Sequence, residues 1–135
     1  MDLMKSVLIS TFGMRAQGDR MRVISENLAN ADSTAKDAQT DPYRRKMVTF
    51  KNELDRANGV SLTKVAKVEK DKSEFLLRHM PGHPAADANG YVKMPNVNSL
   101  IELADMREAQ RSFEANMSAI DAAKGMIART IDLLR

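Results

Sequence analysis

His79 and His83 stand four residues apart, the interval that would put two imidazoles on one face of a helix to share a metal. Pro81, Gly82 and Pro84 forbid that helix, and adding Asp87 gives only three ligands on a loop, so ordinary loop histidines are expected. Asp87-Ala88-Asn89-Gly90 has the opening of a calcium loop, but Asn98 and Ser99 occupy the place of the distal carboxylate, which makes it a turn. Tyr43-Arg44-Arg45-Lys46 is the one basic cluster with an aromatic neighbour. It could bind phosphate or nucleic acid, yet it is short and isolated, which fits a solvated strand edge better. A third use is pairing with acidic residues of an adjacent subunit, along a face carrying Glu102, Asp105 and Glu108. Glycine-rich phosphate loops, nucleophile elbows and Ser/His/Asp arrangements are missing, so neither catalysis nor a metal or other cofactor is expected.

The elements that would carry these residues are dominated by two apolar seams at coiled-coil spacing. Alternate three- and four-residue steps pick out Met4, Val7, Thr11, Met14, Gly18, Met21, Ser25 and Leu28 near the N-terminus. The same stepping gives Leu103, Met106, Gln110, Phe113, Met117, Ile120, Lys124, Ile127, Ile131 and Leu134 near the C-terminus. A repeat averaging 3.5 residues marks helices that pack on other helices. Helices of about 28 and 35 residues would be roughly 40 and 50 Å long at 1.5 Å per residue, longer than a compact domain of this size is wide. The seams must therefore meet each other, sister copies or a partner. Small seam residues such as Gly18 admit a close neighbour; alternatively they only weaken the helix. Polar Gln110 and Lys124 either set register and partner choice or lie at a solvated margin.

Between the helices the pattern changes. Residues 31–40 are small, polar and aperiodic, a loop or an extended arm that Asp41-Pro42 ends. Tyr43–Phe50 reads as a strand with Tyr43, Met47 and Phe50 inward, Lys51–Ala57 as a helical turn, and Asn58-Gly59 as a tight turn. Val60–Val68 and Phe75–Arg78 follow as strands, and Asn89-Gly90 fits a primed hairpin turn into Tyr91–Met94. Ser99-Leu100-Ile101-Glu102 has the form of a capping box opening the last helix. The expected class is mainly α with a small β-rich middle: helix 1–30, a loop and short strands over 31–98, and helix 99–135.

Only 4% of the 135 residues are aromatic and there is no Trp, so the middle can build only a small core, while ten Met suit surfaces with varied neighbours. A net charge of +3, with 21 basic and 18 acidic residues interspersed, is not the footprint of a dedicated nucleic-acid binder. Zero cysteine excludes disulfides and thiolate metal sites. Charges punctuate the first helix, so neither membrane insertion nor a cleaved Sec-type signal is expected.

Ile24-Ser25-Glu26-Asn27-Leu28-Ala29-Asn30-Ala31 resembles the signature that ends the first helix of bacterial flagellar rod and hook proteins. Pro81–Asn98, Asp41–Lys46 and Arg111–Asn116 resemble, more narrowly, the proximal rod proteins of the flagellar basal body. Departures are Ser25-Glu26 before Asn27, Phe113 in place of a common Tyr, and a loose match over 59–75. The resemblance implies a structural subunit of the rod, a drive shaft across the periplasm, exported by the flagellar type III apparatus without a cleaved signal. Its implied partners are other copies, the other proximal rod proteins, the distal rod protein and the adaptor joining rod to ring. The expected assembly interface is Met4, Val7, Met14, Met21, Asn27, Leu28 and Asn30 with Leu103, Met106, Phe113, Met117, Ile120, Ile127, Ile131 and Leu134. Arg44, Arg45, Lys46, Gln110 and Lys124 are the expected polar contacts between subunits. Lacking those partners, the isolated chain is expected to be partly disordered. The runner-up reading is a coiled-coil adaptor or export chaperone that forms a closed oligomer; a nucleic-acid binder using Arg44, Arg45 and Lys46 comes third.

Overall fold

A computed structural model describes residues 2–134. Helix α1 runs Leu3–Ala29, strands β1 Lys46–Asp55 and β2 Val60–Lys70 form one two-stranded sheet, β3 Leu76–His79 and β4 Tyr91–Met94 form another, and helix α2 runs Ser99–Leu133. The class is the expected one, two long terminal helices with short antiparallel strands between them.

Local chemistry explains the boundaries. Asn98 caps α2: its Oδ1 accepts from the amide of Leu100 at 3.0 Å, and its carbonyl accepts from the amide of Glu102 at 3.0 Å. The expected capping box is not formed, because the Glu102 carboxylate is turned into the protein instead. β1 begins three residues later than expected and continues to Asp55 through the stretch read as a helical turn. Lys46, Val48 and Phe50 face inward in it, so Met47, two-residue periodicity being strict, faces out at 38% exposure. Gly59 closes the β1–β2 turn with φ +63°. The turn before β4 is not primed. A type I′ turn needs positive φ at both central residues, but only Gly90 has it (+79°), and the Gly90 amide donates to the Asp87 carbonyl at 3.0 Å. β3 and β4 pair antiparallel, Leu76 opposite Met94 and His79 opposite Tyr91.

The chain divides into two compact units whose boundaries fall inside α1, β1, β2 and α2. The first comprises Met1–Met21, Val48–Lys67 and Arg107–Arg135. In it Ala16, Val60, Leu62, Ala109, Ile120 and Ala123 are buried. The helices run antiparallel there: a Cβ on Gly13 would lie 3.0 Å from Asn116 Oδ1, and Arg20 lies 3.8 Å from Glu108. The second unit comprises Arg22–Met47 and Val68–Met106. Its apolar cluster is Ala85, Val92 and Met94, with Ala35, Met80 and Ala86 against it.

On α2 an inward stripe of buried or half-buried residues runs through Glu102, Met106, Ala109, Phe113, Asn116, Ile120, Ala123 and Ile127 in alternate steps of four and three, with half-buried Asp105 and Ser112 beside it. Four of the ten expected seam residues, Met106, Phe113, Ile120 and Ile127, coincide with this one. Leu103, Gln110, Met117 and Lys124 do not: each lies one residue beyond a buried position and is exposed. Small Ala109 and Ala123 and polar Asn116 are what the helix turns inward between the shared positions.

Candidate functional site

Within the second unit, three separate stretches of sequence converge on one buried polar hub. Asn27, in the last turn of α1, is 1% exposed. An amide has two N–H donors and two carbonyl lone pairs. Nδ2 donates to the Lys46 carbonyl and to Glu102 Oε2, each at 2.9 Å. Oδ1 accepts from the Tyr43 hydroxyl at 2.8 Å and from the Lys46 amide at 2.9 Å. The capacity of the side chain is thus saturated, which only Asn among side chains of this size could achieve.

Glu102, also 1% exposed, takes the Nε–H of Arg45 at 2.6 Å on its other oxygen. Isolating a carboxylate from water costs several kcal/mol, which charge-assisted bonds from Arg45 and Asn27 offset. The Arg45 guanidinium also lies 3.8 Å from Asp71 and 3.7 Å from Asp105. Its amide donates to Asn96 Oδ1 at 2.8 Å, and its carbonyl accepts from the Asp71 amide at 2.8 Å. Arg44 lies over the Phe75 ring, 4.1 Å from the centroid, and donates to the carbonyls of Asp71 and Ser73 at 3.0 Å. Lys46 Nζ donates to Glu26 Oε2 at 2.8 Å.

Titration follows these contacts. The Lys46 ammonium, by hydrogen bond and charge, holds Glu26 below its ordinary value, and Glu26 in turn holds Lys46 above its own. Hydrogen bonds from the Ser73 amide and hydroxyl, then the charges of Arg45 and Arg44, hold the Asp71 carboxyl low. Burial pushes the Tyr43 hydroxyl up, so it stays a donor to Asn27.

The basic cluster Arg44, Arg45 and Lys46 is therefore engaged inside the chain, and Arg45 meets the same Glu102 and Asp105 that were expected to lie on a neighbour. Asn30 ends α1 by donating to the Glu26 carbonyl at 2.8 Å. Of the expected seam, Ile120 is buried and Val7, Met14, Met21, Leu28, Met106, Phe113 and Ile127 are half-buried. Met4 (67%), Leu103 (50%), Met117 (46%), Ile131 (56%) and Leu134 (84%) are exposed. Gln110 and Lys124 are exposed.

His79, on β3, packs its ring tilted by 59° against that of Tyr91, with centroids 5.1 Å apart. His83 Nδ1 accepts from the Ala85 amide at 3.1 Å. Asp87 Oδ1 accepts from the amides of Asn89 and Tyr91, both at 2.9 Å, which occupies the carboxylate in a turn. Among the described residues no three His, Asp or Glu side chains converge as a metal site, and no helix is long and apolar enough to cross a membrane. Sequence reasoning gave Glu102 to a cap and to a neighbouring subunit rather than to this chain's own Arg45, and missed Asn96, which donates to Ser73 Oγ at 2.8 Å as well as accepting from the Arg45 amide.

A family model described as flagellar basal body rod FlgEFG protein, C-terminal, matches residues 88–133. Flagellar basal-body rod protein FlgC of Agrobacterium fabrum is 53% identical over 94% of this chain and 91% of its own. FlgC of Bacillus subtilis is 38% identical over 95% of both chains, and FlgC of Salmonella typhimurium is 40% identical over 93% of this chain and 92% of its own.

Proposed function

The chain belongs to the family of flagellar basal-body rod proteins of the FlgC type, and from that premise we propose that it is a structural subunit of the bacterial flagellar rod. The observation that carries the reading is likeness to FlgC along nearly the whole chain. The physical support is the surface. Met4, Leu103, Met117, Ile131 and Leu134 leave large apolar area in water in a single chain, and such area is stabilised when a neighbour covers it. Heterologous contacts that do not close can stack subunits into a shaft, and several neighbours per subunit share a torsional load.

On this reading the segments 1–30 and 99–135, whose end residues 1 and 135 lie outside the described ones, form the packed wall of the shaft through α1 and α2, and residues 31–98 supply further neighbour contacts. Met4, Leu103, Met117, Ile131 and Leu134 are the first contacts, with Gln110 and Lys124 setting register. The half-buried seam residues complete the same surfaces. Partners are other copies, the remaining proximal rod proteins, the distal rod protein and the rod-to-ring adaptor, reached through the flagellar type III export apparatus into the periplasm. The role is mechanical rather than catalytic.

The cysteine-free background gives the test. Leu103→Cys and Met117→Cys, placed separately and together, are oxidised in cells and in isolated basal bodies. Cross-links confined to basal bodies, with ladders or links to other rod proteins from the double variant, are expected. Cross-links confined to a soluble oligomer of fixed size would replace the rod reading by an adaptor.

A further inference from the structure

Residues 31–45 join α1 to β1 with no helix or strand of their own. Their internal hydrogen bonds are short-range turns, Ser33 to Asn30 and Thr40 to Asp37. Away from the hub the segment is tied by Ala35 against the Ala85–Val92–Met94 cluster and by buried Pro42. Thr34 adds a long 3.4 Å contact to His83, and Asp41 an exposed 3.2 Å pair with Lys93. The hub, by contrast, closes the segment on itself. Asn27, before it, binds Tyr43 and Lys46, which end it, 16 and 19 residues away. Glu102 and Arg45 then fix that closure to α2, 57 residues on.

We infer that the hub is a clasp governing one conformational opening: engaged, it orders the segment 31–45; broken at any member, it releases that segment as a unit. The β3–β4 hairpin stays closed in that opening, because Val92 and Met94 are held by their own cluster and by strand pairing. Closing a loop of this length costs entropy that grows slowly with length, so a few strong bonds at its ends decide whether it is shut. Segments with little buried apolar contact are the ones that open below the global unfolding free energy. The bonds at stake are mutually dependent: losing Arg45 leaves Glu102 with only the Asn27 donor among the hydrogen bonds described here, and losing Asn27 unpairs Tyr43, Lys46 and Glu102 together. The inference concerns a single chain and does not depend on assembly into a rod.

Hydrogen exchange read by mass spectrometry on the full chain tests it, comparing wild type with Arg45→Met and Asn27→Asp. Amides of residues 31–44 should exchange on the order of ten- to a hundredfold faster in both variants, the loss of one or two hydrogen bonds to a charged group. Amides of 91–94 should change less than about twofold, since their protection does not route through the clasp. Tyr43→Phe, which removes one hydroxyl, keeps the test alive should the others fold poorly, and should accelerate 31–44 to an intermediate degree. Equal exchange of 31–44 in wild type and variants would overturn the clasp, as would acceleration of 91–94 in step with 31–44.

Discussion

Asn27→Asp exchanges one NH2 for an oxygen of the same size and so isolates the chemistry of the hub from its packing. The two donated bonds, to the Lys46 carbonyl and Glu102 Oε2, are lost, while the two accepted from Tyr43 and Lys46 survive. A bond to a charged acceptor contributes about 1.5–3 kcal/mol, and a buried carbonyl left unpaired costs about 1–3 kcal/mol. Together the two losses cost about 2.5–6 kcal/mol near neutral pH, and less wherever a protonated Asp restores one donor. That is a large share of the roughly 5–15 kcal/mol of a typical domain. The cost also depends on pH with a definite sign. Burial and the Glu102 carboxylate raise the folded-state pKa of the new carboxyl. A raised pKa means that the contribution of the protonated form is complete below the unfolded value and is lost as pH rises through the folded one. The deficit against wild type should therefore be smaller at about pH 4 than at about pH 7.5. Urea unfolding followed by far-UV circular dichroism at both pH values measures it. A deficit under about 1 kcal/mol, or one that does not change with pH, would refute the reasoning, because it would mean that water already reaches Asn27.

Three further outcomes follow from the same structure. Ile120→Asp buries a charge in the first unit and should lower the urea midpoint of the isolated chain, whereas Met117→Asp, 46% exposed, should leave the midpoint unchanged and abolish motility by blocking assembly. An unchanged swimming rate with Met117→Asp would remove that residue from the interface. Gly18 has no atom within 4 Å of a built Cβ, so Gly18→Ala should stabilise the isolated chain by about 0.5–1 kcal/mol through helix propensity; reduced motility of the stabilised variant would locate a neighbour's backbone there. The Glu26–Lys46 pair should contribute in full between the ordinary values 4.5 and 10.5. It fades as pH falls through the depressed value of Glu26 or rises through the elevated value of Lys46, read as the pH dependence of the Lys46→Met midpoint difference.

The two helices were legible because each keeps a helical apolar period for many turns without proline, and the turn at Asn58-Gly59 because Gly59 admits positive φ. The hub was not. Ser99-Leu100-Ile101-Glu102 satisfies the capping-box pattern locally, and nothing in that window shows that Arg45, 57 residues upstream, competes for the same carboxylate. The competition is decided by burial, where a charge-assisted bond outweighs a solvent-exposed cap. Asn98 takes over the cap because its side chain reaches the amide of Leu100 without leaving the surface. The turn before β4 failed for a different reason: a primed turn needs positive φ at both central residues, only Gly90 has it, and the Asp87 carboxylate organises the turn instead.

The way the α2 seam divides between inward and exposed residues carries the most information about the chain. Apolar size and spacing pick out a seam on α2 that meets the other helix, sister copies or a partner, and in the single chain the inward face holds Ala109, Asn116 and Ala123 between its larger residues. Small residues let two helices of one chain approach closely, as Gly13 approaches Asn116, but they bury little area and contribute correspondingly little hydrophobic free energy. A chain with so few aromatic residues then needs another source of specificity for its internal packing, and the saturated amide of Asn27 and the paired charge of Glu102 supply it. What remains is an allocation of side chains. Leu103 and Met117, which as inward residues would have enlarged a monomeric core, stand instead on the surface with Ile131 and Leu134. A sequence selected for a stable monomer would place them the other way round. A subunit whose stability comes from its neighbours keeps its largest apolar residues for those neighbours and holds its own shape with small and polar ones.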